Sequence, residues 1–184
     1  MQSRQHLLAA FLILACITLM NKRYSMPDFE AKICPRSELS ARVALLPQPV
    51  VLTNGVFDIV HRGHVTYLAQ ARALGATLVV AINTDASVRR LGKGVDRPLN
   101  ICADRMAVVA ALQSVSLVVE FDEDTALEVV SQARPAIYVK GGDYDMHAIP
   151  EGQAVLAYGG QAIAINFAHD RSTSRLLSKV RAGN

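Results

Sequence analysis

The sequence predicts a single α/β domain built on a doubly wound parallel sheet of five strands. Short runs rich in Val, Ile and Leu alternate with longer segments of helical periodicity over residues 50–184. This alternation is typical of parallel strands that are connected by helices. A chain of 184 residues is also long enough for one domain with a substantial core and short for two.

An N-terminal helical segment, residues 26–49, is expected to precede this domain. Residues 37–46 (SELSARVALL) have a helical pattern, Ser37 is a suitable N-cap, and Pro47 and Pro49 prevent the helix from continuing. We expect this short helix to pack outside the main sheet.

The five strands are predicted at residues 50–53, 77–83, 117–121, 137–140 and 162–167. Each is short and nearly continuous in apolar side chains, as strands buried on both faces usually are. Helical patterns are found at residues 63–74, 99–113, 125–133, 149–158 and 172–180. The result is a Rossmann-like arrangement, in which ligands bind beyond the carboxyl ends of the strands. Functional residues are therefore expected in the loops that follow the strands.

Composition narrows the possible functions. With 51% hydrophobic and 19% charged residues, the chain is neither disordered nor fibrous. The net charge of +3 is small and the basic residues are scattered, so no nucleic-acid-binding surface is expected and small anions fit better. The three cysteines form no CxxC or Cys/His spacing, which argues against a disulfide framework and a zinc site.

The loop after the first predicted strand, residues 53–64, reads TNGVFDIVHRGH. It contains no GxGxxG, which argues against a dinucleotide-binding dehydrogenase. His61 and His64 lie three residues apart, so both can face one ligand, and Gly63 allows the backbone to approach it. The start of the next helix adds free N–H groups. Together these features predict an anion site.

Cations elsewhere in the chain are candidates for contacting the same anion. Lys93 lies between two glycines in a loop that also carries Arg97, and such a loop could close over bound phosphates or be a solvated turn. Arg105, on the following helix, is either a substrate ligand or a surface charge.

Two further motifs follow later strands. The stretch 140–143 (KGGD) follows the fourth strand, where paired glycines permit close backbone approach and Asp143 can accept a ligand hydrogen bond. The stretch 171–174 (RSTS) begins the last predicted helix, and it is either a second phosphate site or an ordinary N-cap.

The motifs TNGVFDIVHRGH, NTDASVRRLGKG, RPLN, VKGGDY and DRSTS, in this order, resemble the cytidylyltransferase-like nucleotidyltransferases. Within them the chain is most similar to stand-alone bacterial D-glycero-β-D-manno-heptose 1-phosphate adenylyltransferases. The resemblance covers residue 50 to the C-terminus, which it implies is the nucleotidyltransferase domain. It implies transfer of AMP from ATP to the heptose 1-phosphate, giving ADP-heptose and pyrophosphate for lipopolysaccharide core biosynthesis.

The residue patterns and the resemblance together assign roles to residues. The expected catalytic residues are His61, His64, Lys93 and Arg171. The expected nucleotide-binding residues are Thr53, Asn54, Gly55, Val56, Phe57, Asp58, Gly63, Lys140, Gly141, Gly142, Asp143, Ser172, Thr173 and Ser174. Arg97 and Arg105 are expected to bind the substrate. Mg²⁺ is expected to bind mainly through the ATP phosphates, with no direct protein ligand assigned, and the enzyme is expected to be a homodimer.

The implied chemistry requires no general base. A sugar phosphate is largely ionised at neutral pH, because its second pKa lies near ~6. The site must align that phosphate with the α-phosphorus and stabilise the departing pyrophosphate, so His61 and His64 are expected to stabilise charge. Asp58 either orients the loop or the metal ion, or forms a local Asx-type turn.

Residues 1–25 form an apolar N-terminal extension. Its apolar run, residues 7–20, is short for a membrane span but matches a signal-peptide core, and residues 13–16 resemble a lipoprotein cleavage box. An enzyme that consumes ATP is expected in the cytoplasm, without a stable membrane partner. We therefore favour an over-extended start, since a product beginning at Met26 lacks the run.

Three other functions are compatible with parts of the sequence. Within the same reaction class, the chain could be a cytidylyltransferase acting on glycerol 3-phosphate or another small phosphate ester. From other classes, it could be a catalytically silent nucleotide-binding protein or a membrane-tethered interaction protein. The intact HxGH argues against the silent protein, and only residues 7–20 favour the tethered one.

Overall fold

One parallel sheet forms the centre of the protein in a computed structural model, which describes residues 28–92, 94, 96–166, 180 and 183. Its strands are β1 (Ile33–Cys34), β2 (Val50–Gly55), β3 (Thr77–Asn83), β4 (Leu117–Phe121), β5 (Ile137–Gly141) and β6 (Gln161–Ile165). The helices are α1 (Leu39–Ala44), α2 (Arg62–Arg72), α3 (Asp85–Arg90), α4 (Cys102–Ala110), α5 (Leu127–Ala133) and α6 (Pro150–Ala157). Short 3₁₀ turns occupy Asp28–Lys32 and Arg36–Glu38.

The strand order is β1-β4-β3-β2-β5-β6, and every pair is parallel. The central strands β2 and β3 pair in register from Val50 with Thr77 to Gly55 with Ile82. Because the order reverses beside β2, the loops after β2 and β5 diverge and leave a crevice at the carboxyl edge. The predicted doubly wound α/β fold is confirmed.

Helices cover both faces of the sheet. On one face, Leu68 of α2 and Val109 of α4 pack in one apolar cluster with alternate strand residues such as Val51. On the other face, helices α1, α5 and α6 pack against the intervening strand residues, including Leu52. This two-sided burial explains why the strands are almost continuously apolar.

The sheet has six strands, so the prediction of five was wrong. The additional strand, β1, pairs with β4 through Ile33 and Cys34 at the edge of the sheet. It lies in the segment 26–49, which was predicted as helical, and a two-residue strand carries no readable alternation. Helix α3 was also not predicted, although Thr84 caps it by accepting a hydrogen bond from the Ser87 N–H.

The N-terminal helix differs from its prediction in two respects. Helix α1 begins at Leu39, and its N-cap position is Glu38 without a side-chain cap, so the prediction of Ser37 as N-cap was wrong. Ser37 belongs instead to the preceding 3₁₀ turn. Leu39 and Val43 are buried in the core cluster, so the helix completes one face of the sheet.

The other boundaries agree with the predictions to within a few residues. Strands β3 and β4 have the predicted bounds. Helix α4 starts three residues later than predicted, because the N–H groups of Leu99 and Asn100 bind the Asp58 carboxylate rather than a helix. The predicted helix at 172–180 lies outside the described residues, Val180 excepted.

Candidate active site

A cleft of about 530 Å³ lies beyond the carboxyl ends of β2 and β5, where the sequence predicted the site. Among the described residues with predicted roles, those that line it are Asn54, Gly55, Val56, Phe57, His64, Lys140 and Gly141. These residues come from three separate segments of the chain, which meet around one cleft. The size of the cleft is ordinary for a small-molecule site.

His61 forms the start of helix α2. It is the N-cap residue, and its Nδ1 accepts a hydrogen bond of 3.1 Å from the Gly63 N–H. Because Nδ1 is an acceptor, the neutral ring carries its proton on Nε2. His61 thus satisfies one free N–H of the helix with one ring nitrogen and retains a donor on the other.

The two histidines are in direct contact. Their rings are stacked, with centroids 4.0 Å apart and an angle of 22° between the planes. Burial, followed by the neighbouring His61, lowers the pKa of His64 to about 4, and the Ile59 carbonyl opposes this only in part. His64 is therefore a neutral hydrogen-bond donor at pH 7, and a bound phosphate would raise its pKa.

The acid stability of the protein should depend on His64. An unfolded histidine has a pKa of 6.5, whereas the folded pKa is about 4. Between these values the unfolded state binds more protons, so the free energy of unfolding should rise with pH. This contribution is fully present above pH 6.5 and is lost as the pH falls toward 4; it amounts to at most about 3 kcal/mol.

Urea unfolding of the wild type and His64→Gln over this pH range measures the effect. We expect the wild type to lose more stability on acidification than His64→Gln does. The exposed His147 provides a matched control, and His147→Gln should follow the wild type. Equal losses in all three proteins would contradict the assignment.

Phe57 forms one side of the cleft in an unusual backbone conformation. Its φ is 49°, in the left-handed region that costs an L-residue about 1–2 kcal/mol. Its ring lies 5.2 Å from the His64 ring, centroid to centroid. A Cβ on Gly55 would come within 2.9 Å of the Phe57 ring, so this position requires glycine. The strained loop therefore packs an aromatic ring against the histidine pair.

Asp58 orients the loop. Its buried carboxylate accepts hydrogen bonds from the N–H groups of Leu99 (2.9 Å) and Asn100 (2.9 Å), and it pairs with Arg97 at 2.5 Å. The Asn100 side chain in turn donates to the Asp58 carbonyl. The bonded residues lie about 40 positions apart in the chain. Asp58 therefore orients the loop through distant contacts and does not only form a local Asx turn. Arg97, predicted to bind substrate, is held by this pair with its side chain 10% exposed.

Arg105 is buried, so the expectation of a surface charge was wrong. Its side chain has no exposed area, and its guanidinium donates to the Val56 carbonyl (2.7 Å), the Asn100 carbonyl (2.9 Å) and the Asp85 carboxylate (2.7 Å). These bonds join the loop after β2, the segment before α4 and the start of α3. This geometry gives Arg105 a positioning role and offers no direct contact to a substrate.

The floor of the cleft is a network of side chains between β2, β5 and α2. The Thr53 hydroxyl is buried and bonds the Tyr67 hydroxyl at 2.6 Å, so its predicted nucleotide contact is not through this group. The Asn54 Oδ1 accepts from the Tyr138 hydroxyl (2.7 Å) and from the Lys140 ammonium (3.5 Å). Burial raises the pKa of both tyrosines, which stay protonated. The network fixes Asn54 and Lys140 at the cleft.

The remaining predicted residues have different positions. Gly142 has a φ of 123°, which favours glycine, and its N–H binds the Ile165 carbonyl. Asp143 is exposed and, in the described part of the chain, is not among the residues that line the cleft. Outside the described residues lie Lys93, Arg171, Ser172, Thr173 and Ser174.

Sequence reasoning missed several residues of the site. In the sequence, Tyr67 occupies an ordinary apolar position of a predicted helix, and Tyr138 occupies one of a predicted strand. Glu151, which lines the cleft while only 4% exposed, reads as a first-turn helix acid. No local pattern distinguishes these three, because their partners lie 14 to 84 residues away.

Over residues 28–92, 94, 96–166, 180 and 183, no group of three or more His, Cys, Asp or Glu side chains is arranged to hold a metal ion. The Asp58 carboxylate is already bound to Leu99, Asn100 and Arg97, and it does not fit as a metal ligand. In the same part of the chain, no helix is both long and apolar enough to span a bilayer.

Comparisons with known proteins show the family of the chain. The family model described as cytidylyltransferase-like matches residues 52–175, which include the whole histidine loop. The chain is 60% identical over 161 residues to a D-beta-D-heptose 1-phosphate adenylyltransferase of Bordetella bronchiseptica, covering 86% of this chain and 99% of that protein.

Two further relatives extend the comparison. The bifunctional protein HldE of Edwardsiella ictaluri is 48% identical over 136 residues, which are 74% of this chain and only 28% of HldE. The crystal structure of the lipopolysaccharide core biosynthesis protein of Thermoplasma volcanium superposes with a TM-score of 0.54 at 26% identity, covering 66% of this chain and 98% of that one. The chain therefore belongs to the cytidylyltransferase-like family.

Proposed function

We propose that the chain is a nucleotidyltransferase that transfers AMP from ATP to D-glycero-β-D-manno-heptose 1-phosphate, releasing pyrophosphate and giving ADP-heptose. The stacked pair of His61 and His64 at the start of α2 carries this proposal, because it puts N–H donors at a cleft of suitable size. The 60% identity to a protein of that name supports the choice of substrates.

The residues of the cleft suit this reaction without a general base. The attacking sugar phosphate is already ionised, so catalysis consists of alignment and charge stabilisation. His64 donates an N–H to the phosphates, and its pKa, which burial and His61 lower, rises as their charge approaches. The N-terminus of α2 adds positive potential on the side of His64, and the Lys140 ammonium adds it from the side of Tyr138, where it bonds Asn54. Lys93 and Arg171 are proposed to complete the site around the outer phosphates.

We further propose that Mg²⁺ enters with ATP, bridging phosphate oxygens and neutralising part of their charge. Its ligands would then be phosphate oxygens and water, as is usual for this ion. We also propose that the enzyme works in the cytoplasm, where ATP is available, and as a homodimer.

A pyrophosphate-release assay tests the proposal. The purified chain with Mg²⁺ should release pyrophosphate with ATP and heptose 1-phosphate, and release should fall to background when either is omitted or Mg²⁺ is chelated. The competing cytidylyltransferase reaction is tested in parallel with CTP and glycerol 3-phosphate. Turnover with that pair and none with ATP and heptose 1-phosphate would refute the proposed function.

A further inference from the structure

The cleft has two sides of different charge. On the side covered by α2, its lining includes His64 and the backbone of residues 54–57. On the side covered by α5 and α6, it is formed by residues 124–126 and 149–151. This second wall carries the buried carboxylate of Glu151, whereas the exposed carboxylate of Asp124 is paired with Arg90. Lys140 also lines the cleft and bonds Asn54 beside Tyr138, so the buried carboxylate of Glu151, rather than a lack of cations, distinguishes the second side.

Glu151 is the unusual member of the second wall. It lines the cleft although it is only 4% exposed, and its Oε1 accepts a hydrogen bond of 2.8 Å from the Ala126 N–H. This is the single hydrogen bond that Glu151 receives from the described residues. A carboxylate can accept about four, and a buried charge that is poorly bonded costs free energy. The remaining acceptor capacity is thus available to a ligand in the cleft.

The chemistry of that ligand follows from the charge. A carboxylate repels phosphate and accepts hydrogen bonds from hydroxyl groups, and its two oxygens match the spacing of a vicinal diol. The proposed reaction brings vicinal diols into the cleft from two molecules, the acceptor sugar and the ribose of ATP. In phosphoryl-group chemistry the attacking and leaving oxygens are roughly in line. With pyrophosphate held on the His64 side, the acceptor approaches from the side of α5 and α6.

Resting on the proposed function, we infer that Glu151 binds a vicinal diol of the acceptor sugar and determines which sugar phosphates are accepted. Sites built to bond a hydroxyl reject analogues that lack it, because their buried polar group is left unpaired. Glu151 would therefore distinguish a polyhydroxylated sugar phosphate from a small phosphate ester that lacks a vicinal diol.

The test compares the wild type with Glu151→Gln, which keeps the side-chain length and an oxygen for the Ala126 N–H but removes the charge. We expect the KM for heptose 1-phosphate to rise about 10- to 100-fold, while the Kd for ATP stays within about twofold. Glu120→Gln is the matched control, because it removes the same charge from an exposed residue outside this cleft. Its KM should equal that of the wild type.

Two results would overturn the inference. One is an unchanged KM for the sugar phosphate in Glu151→Gln. The other is a loss of ATP affinity that is absent for 2′-deoxy-ATP, which would assign the carboxylate to the ribose. Thermal unfolding confirms that the variants are folded. If Glu151→Gln does not fold, Glu151→Asp is compared with the wild type instead, because it moves the carboxylate away from the cleft by one methylene.

Calorimetric binding of heptose 1-phosphate separates this inference from the proposed function. If the wild type binds the sugar phosphate without turnover, the proposed function fails, and weaker binding by Glu151→Gln still supports the role of Glu151. If the wild type neither binds nor converts it, both are overturned. If the wild type converts the sugar phosphate and Glu151→Gln binds it with the same affinity, only the inference is overturned and the proposed function stands.

Discussion

His64→Ala is expected to lower kcat/KM for pyrophosphate release by about 100- to 1,000-fold while leaving the protein folded. The imidazole is a donor in a partly buried site, where an interaction with developing charge is stronger than in water. Its removal relieves the burial of a titratable group, so no large loss of stability is expected. Steady-state kinetics with ATP and heptose 1-phosphate, together with thermal unfolding, measure both effects.

The corresponding experiment on His61 must separate catalysis from capping. His61→Ala removes the bond to the Gly63 N–H and is expected to cost about 1 kcal/mol of stability. His61→Asn replaces the cap acceptor but not the ring, so it should restore stability without restoring turnover. His147→Ala, at an exposed histidine, should match the wild type. A folded His61→Ala/His64→Ala double variant with near-normal pyrophosphate release would refute the role of the pair.

Arg105→Met is expected to reduce stability by about 3 kcal/mol and also to reduce turnover. The change leaves the Val56 and Asn100 carbonyls and the Asp85 carboxylate without their shared donor. The loop that carries the histidine pair then loses its link to α3 through Arg105, although Asp58 still joins it to the segment before α4. Urea unfolding gives the stability, and kinetics on the remaining folded protein give the turnover.

Two further variants show whether the effect of Arg105→Met comes from the loss of its hydrogen bonds or only from the loss of its charge. Arg105→Lys keeps the charge but cannot reproduce the geometry of three bonds, so we expect it to recover only part of the stability. Arg89→Met, at an exposed arginine of α3, controls for the loss of a cation. If Arg105→Met were as stable and active as Arg89→Met, the buried arginine would have no positioning role.

Features that depend on local pattern were predictable from the sequence. The apolar runs of β3 and β4 located both strands, since strands buried on two faces leave a continuous signal. The histidine loop was identified because its residues are consecutive and follow a strand. Strand β1 was missed because two residues carry no periodicity, and its pairing with β4 is more than 80 residues distant.

Features that depend on distant contacts were not predictable. Arg105 follows the exposed Asp104 in its helix, and only the fold brings Val56, 49 residues away, to its guanidinium. Glu151 bonds the N–H of Ala126 at the start of another helix, which no spacing in the sequence indicates. In both cases long-range topology, rather than residue type, determines whether a charge is buried.

The anchoring of Arg97 has a consequence for how the acceptor range could change in evolution or by design. The chain between Arg90 and Arg97 is fixed at both ends, by the pair of Arg90 with Asp124 and by that of Arg97 with Asp58. Closing a slightly longer loop between fixed ends costs little entropy. Insertions between these anchors that retain Lys93 should thus leave the histidine pair in register, and this segment can accept new recognition elements.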